Sequence, residues 1–157
     1  MRKQAAFLAL AGFLVCVDQL AKYLIARGIA LYETVPVVPG FFNLTHIHNR
    51  GAIFGFFSRN PGKLTGILLP VFSLAALALV IFYFFKTPPS DRMLKFSLTL
   101  ILAGALGNQI DRFVRGYVID FLDVYIKNWH WPTFNIADSC ISCGAVILIF
   151  TFILRRD

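Results

Sequence analysis

The stretch LTGILLPVFSLAALALVIFYFF, residues 64–85, carries no charged side chain over 22 positions. At 1.5 Å per residue, a helix of that length reaches about 33 Å, enough to cross the hydrocarbon core of a bilayer. Pro70 is compatible with this reading, because neighbouring helices can satisfy the carbonyl it frees. Composition agrees: 58% of the 157 residues are hydrophobic, 17 are phenylalanine, and mean hydropathy is +0.72. A soluble domain so composed would expose too much apolar surface and aggregate. The chain reads as an integral membrane protein. Its net charge of +7 comes from basic residues scattered singly between apolar runs, which suits contact with anionic membrane lipids better than with nucleic acid.

Working outward from that span, KTPPSDR (86–92) reads as a tight polar hairpin leading into a third span of about 93–112. A fourth runs over about 136–154. The N-terminus resembles a secretory signal, with a basic start and an apolar core. However, Val15 stands before Cys16 where cleavage needs a small residue, and DQLAKYLIARG continues the helical pattern, so an uncleaved first span of about 5–27 is expected. The expected fold is all-α: one integral-membrane domain over 1–157 with four transmembrane helices and both termini on one side. Basic residues barely orient it. With the N-terminus inside, seven (Arg2, Lys3, Lys86, Arg92, Lys95, Arg155, Arg156) lie on the inner face. Seven more (Arg27, Arg50, Arg59, Lys63, Arg112, Arg115, Lys127) lie on the outer face. Only the basic start favours the N-terminus inside.

Two connecting segments share the other face. Residues 28–62, rich in β-branched and aromatic residues with Pro and Gly breaks, predict a small strand-containing platform at the membrane surface. Residues 113–135 place Tyr125, Trp129 and Trp131 as interfacial anchors. Cys140 and Cys143 form a C-x-x-C, but inside an apolar helical run such small residues more commonly serve packing than redox or metal chemistry.

Polar groups inside apolar spans need a reason. Asp18 and Lys22 lie four apart on one helical face, as a structural ion pair that fixes packing or with Lys22 as a catalytic lysine. In GALGNQIDR, Gly104, Asn108 and Arg112 form a stripe beside Asp111, with Gly104 and Gly107 permitting close helix approach. That stripe could cap and pair loop carboxylates, or orient a carbonyl, a phosphate or a catalytic aspartate. Asp120 and Asp123 follow, then Asp138. Asn135 with Asp138 three residues on is the layout of a helix N-cap with an acid in the first turn. Asp120 could equally be a solvated loop acid or a partner for Arg112 or Arg115. The chemical alternative is a pair of carboxylates near an interface, where one keeps a proton and the other acts as base toward water. It fits what is missing: there is no H-E-x-x-H and no serine with a histidine base in plausible order, and His46 and His48 could bind a metal but, with no carboxylate nearby, read more readily as loop residues.

Together HNRGAIFGFF (48–57), GALGNQIDR (104–112), GYVIDFLDV (116–124) and FNIADS (134–139), with the Asp18/Lys22 pair in VDQLAKYLI, resemble the lipoprotein signal peptidases, or signal peptidase II. The resemblance covers nearly the whole chain. It implies a four-helix aspartic peptidase of the bacterial cytoplasmic (inner) membrane, with both termini cytoplasmic and the site near the extracytoplasmic face. It implies cleavage of prolipoproteins just before a diacylglyceryl-modified cysteine, with no metal or cofactor, and inhibition by cyclic-peptide antibiotics. Carried over motif by motif, the catalytic dyad falls on Asp120 and Asp138. Asn49, Gly51, Asn108, Arg112 and Asn135 match positions lining the site, and Asp18, Lys22, Asp111 and Asp123 match supporting positions. Residues 28–62 could form a lid or cradle over substrate. The reading of a different class is a small proton-coupled transporter using the buried acids, which predicts acids spread through the membrane depth and symmetry-related broken helices.

Overall fold

The computed structural model describes residues 2–50 and 63–154, with side chains described over 4–50 and 71–154. The chain order is α1 (Arg2–Gly28), β1 (Thr34–Val38), β2 (Phe42–Asn49), α2 (Lys63–Lys86), α3 (Arg92–Arg115), β3 (Val118–Ile126), β4 (Trp129–His130) and α4 (Ile136–Ile153). Over Gln4–Gly28, Arg92–Arg115 and Ile136–Ile153 the helices are long and apolar enough to cross a membrane. In α2 the apolar run with described side chains is shorter, Val71–Lys86.

The helix ends are written into the sequence. Asp91 accepts from Leu94 N and starts α3, and Gly116, at φ 77°, ends it in the left-handed conformation with its N–H on Arg112 O. Asn135 starts α4 by accepting from Asp138 N. The cap is therefore Asn135, and Asp138 occupies the first turn. The hairpin at 86–92 is present, but α2 is closed by an unexpected group. Lys95, fully buried in α3, donates to Phe84 O and, at 3.1 Å, to Thr87 O, with its ammonium 3.8 Å from the Phe84 ring centroid. It satisfies carbonyls that a helix end leaves without partners.

α3 is the centre of the bundle. It packs against α1, α2 and α4, whereas α2 among the described elements packs on α3 alone. Contact with α4 is close: a Cβ on Gly104 would stand 2.2 Å from Ala137 O, and one on Gly144 2.8 Å from Ser97 O. A hydrophobic cluster of Ile25, Ile29, Ile119 and Phe121 joins the end of α1 to a four-stranded antiparallel sheet of order β1-β2-β3-β4. The platform expected from residues 28–62 thus exists as strands, but half of it comes from the second connection, through β3 and β4. Trp129 and Trp131 remain more than half exposed at its edge.

Candidate active site

Where α1, α3, α4 and β3 meet, the polar residues form one hydrogen-bonded assembly. Its base is ionic. Lys22 Nζ lies 2.8 Å from Asp18 Oδ2, 2.7 Å from Asp111 Oδ2 and 3.1 Å from Asn108 Oδ1, so its three N–H groups meet three acceptors. All three charged groups are buried, and Arg115 adds a second cation on Asp111. Asp18 Oδ1 accepts from Ala137 N at 2.9 Å, docking the start of α4 onto α1. Gly107 makes this possible, because a Cβ there would lie 2.7 Å from Asp18 Oδ2. Gln19 ties the layer together, donating to Gly107 O and Asp111 Oδ1 at 3.1 Å and accepting from Arg115.

Above this base stand two asparagines. Asn108 Oδ1 accepts from Lys22 and, at 3.2 Å, from Asn135 Nδ2, while its own Nδ2 donates to Asp138 Oδ1 at 2.7 Å. Asn135 uses Oδ1 to cap α4 and Nδ2 to reach Asp120 Oδ1 at 2.7 Å. Asn49, from the end of β2, donates to Asp120 Oδ2 at 2.9 Å. The Asp120 and Asp138 carboxylates, eighteen positions apart, thereby sit on one amide scaffold. Burial chiefly pushes Asp120 up from 3.8 to about 6, with the Asp138 charge adding to it and the amides of Asn49 and Asn135 and the Lys22 charge opposing it. A carboxyl in that range can hold or release a proton near neutrality.

The remaining sequence candidates sort themselves by position. Arg112 makes a 3.4 Å hydrogen bond to Asn108 O one turn back in α3. Asp123 sits one turn of sheet away, accepting from Asn43 Nδ2 and His130 Nδ1 at 2.8 Å, so it joins β2, β3 and β4 rather than touching Asp120. Gly51 lies outside the described residues, as does the rest of 51–62. Among the described residues no group of three or more His, Cys, Asp or Glu is placed to hold a metal ion. Arg115, considered as a partner for Asp120, pairs with Asp111 instead, and Gln19, Asn43 and His130 were not anticipated as parts of these networks. For Gln19 a signal existed, since it is polar, lies inside an apolar span and neighbours Asp18.

Comparisons with known proteins give this geometry a context. A family model described as signal peptidase (SPase) II matches residues 10–154. The chain is 45% identical over 150 residues to the lipoprotein signal peptidase of Syntrophus aciditrophicus (strain SB), covering 96% of this chain and 93% of that one. It is 44% identical to the lipoprotein signal peptidase of Desulforapulum autotrophicum, covering 91% and 88%. A bacterial membrane enzyme solved by the in meso method at 2.3 Å superposes with a TM-score of 0.84 at 33% identity, over 98% of this chain and 90% of that one. A second, at 1.9 Å, gives 0.81 at 34% identity, over 94% and 92%. With a matching family model over most of the chain, close relatives over nearly all of it and the fold of a membrane enzyme, this chain belongs to the signal peptidase II family, the lipoprotein signal peptidases, and is a membrane-embedded aspartic peptidase.

Proposed function

We propose that the chain removes signal peptides from diacylglyceryl-modified prolipoproteins, cutting before the lipidated cysteine, with Asp120 and Asp138 as the catalytic dyad. The observation that carries this reading is the amide scaffold: Asn135 and Asn108 donate to one oxygen of Asp120 and of Asp138 and are hydrogen-bonded to each other. Such a scaffold fixes two carboxylates toward one another while leaving room for a shared proton. Asn108 holds Asp138 by Oδ1, and on this reading Oδ2 takes the attacking water. One carboxylate takes a proton from that water as it attacks the scissile carbonyl, and the other protonates the departing amine. The two titrate as a coupled pair, so the shared proton belongs to both.

The surroundings support the same reading. Asp18, Lys22, Asp111 and Arg115 form a charge-balanced layer that holds α1, α3 and α4 in register beneath the dyad, and Asn49 and Arg112 border the place a substrate backbone would occupy. The single domain sits in the bacterial cytoplasmic membrane with α1–α4 as four spans, both termini cytoplasmic, and the sheet on the extracytoplasmic face against lipid headgroups. A proton-coupled carrier is the weaker reading, because the acids gather at one end of the bundle instead of lining its depth.

Cleavage of a diacylglyceryl-modified prolipoprotein by purified enzyme, with EDTA throughout, tests the chemistry. Wild type should cut, while Asp120→Asn and Asp138→Asn, each shown folded by thermal unfolding in detergent, should lose about 10²–10⁴-fold in turnover. Near-normal turnover by either variant rejects the dyad.

A further inference from the structure

Successive side chains of a strand point to opposite faces, and β2 uses both. On one face, Asn49 reaches Asp120, and Ile47 stands opposite Asp120 in the register. On the other face are His46 and His48. His46 is buried, with Nδ1 2.9 Å from Ile29 O at the end of α1. His48 Nε2 lies 3.1 Å from His46 Nε2, and the His48 ring stacks on Tyr117 at 3.6 Å between centroids and 20° between planes.

The carbonyl fixes the tautomers. Ile29 O can only accept, so His46 Nδ1 carries the proton; in a neutral His46, Nε2 is then the acceptor and His48 Nε2 the donor. Burial first, then the charges of His46 and Arg50, hold His48 below the usual imidazole range, in keeping with a neutral His48. The β2–β3 register shifts between Leu44 and Ile47, so the irregularity lies at Thr45 and His46. An irregularity of this kind re-aims the side chains that follow it. The strand segment that delivers Asn49 thus breaks its pairing with β3 at its start, where His46 is held by backbone hydrogen bonds to Tyr32 and Glu33 and by the imidazole contacts to Ile29 and His48.

We propose that the His46–His48 pair is a positioning element for the Asp120 carboxylate: anchored on Ile29 and stacked on Tyr117, it sets the end of β2 so that Asn49 presents its amide to Asp120. This rests on the Asp120–Asp138 reading. Neither imidazole touches the reacting groups.

The test is a double-mutant cycle on full-length enzyme cleaving the same lipidated substrate. His48→Phe keeps a ring on Tyr117 but loses the donor, and should lower kcat about tenfold with KM little changed. His48→Gln, whose Nε2 can still donate to His46, should recover most of that loss. In an Asn49→Ala background, His48→Phe should have almost no further effect, because both act through one contact. Normal kcat in His48→Phe, no recovery by Gln, or full additivity with Asn49→Ala overturns the proposal. Should His48→Phe not fold, His46→Asn keeps a donor for Ile29 O but is too short to accept from His48 Nε2, and should lower kcat about tenfold without adding to Asn49→Ala; normal kcat or full additivity overturns the proposal. Asp120→Asn is assayed alongside. Activity there sinks the dyad; an inactive Asp120→Asn with additive His48 and Asn49 effects sinks the positioning role alone.

Discussion

Asn135 uses both ends of one side-chain amide, and the two uses can be separated. Its oxygen caps α4 and its nitrogen donates to Asp120. Asn135→Ser keeps an acceptor for the cap but loses the donor, so its thermal midpoint should stay close to wild type while lipoprotein cleavage falls on the order of tenfold or more. Asn135→Ala should lose both, with the missing cap costing about 1 kcal/mol. If serine restores cleavage, the Asp120 contact does not matter. Asp120 itself makes a second prediction. Its folded pKa of about 6 lies above the ordinary 3.8, so the folded state holds its proton more tightly than the unfolded chain does. Stability is therefore lost as pH rises between about 4 and 6, and the deficit is complete above that, at about 3 kcal/mol before relaxation. Asp120→Asn should unfold at a higher temperature than wild type at pH 7.5 and lose that advantage by about pH 4. A lower midpoint at pH 7.5 would contradict the raised pKa. At this scale the sequence was informative: Asp18, Lys22, Asp120, Asn135 and Asp138 stand out because a polar group in or beside an apolar span needs a partner. What it could not supply was the pairing, since Asn108 meets Asn135 only through the approach of α3 to α4.

Between elements, the closest approach is the α3–α4 contact at Gly104. A methyl group there meets a backbone carbonyl, Ala137 O, at 2.2 Å, and a carbonyl cannot rotate away without moving α4. Gly104→Ala should cost about 1–3 kcal/mol and reduce cleavage with it, because Ala137 directly precedes Asp138. Gly12→Ala on α1, where nothing lies within 4 Å, should instead gain up to about 1 kcal/mol from helix propensity. Thermal unfolding in detergent reads both, and equal effects would mean that the α3–α4 approach is not tight. The helices and the hairpin were legible because length, charge-free runs and caps are local signals. β3 was not: VIDFLDVYI lacks a clean alternation, since Asp120 and Asp123 both turn toward polar partners, and its pairing strand lies some seventy residues earlier. Lys95 was missed for a related reason. Counted by sequence as a free basic residue, it is buried and spends its ammonium on the last turn of α2.

For the whole molecule, the even count of basic residues on the two faces reflects structure as much as topology. Lys95 is buried against α2 and Arg115 is paired with Asp111, so neither is free to mark a side. Direct labelling decides the four-span arrangement. With Cys16, Cys140 and Cys143 replaced by serine, a cysteine at Lys127 in the β3–β4 turn should react with a membrane-impermeant maleimide in intact cells. A cysteine at Ser90 should react only after permeabilisation. Reaction of both from outside would remove α3 as a span, because α3 is the helix that separates the two positions. The ionic layer beneath the dyad also bears on how such a chain is made. Asp18 and Lys22 pair within α1, and Asp111 and Arg115 pair within α3, each four residues apart. Each helix therefore leaves the ribosome already neutral at its most polar point, and α1 can wait in lipid through the synthesis of some eighty residues until α3 arrives and Lys22 takes Asp111 as its second carboxylate.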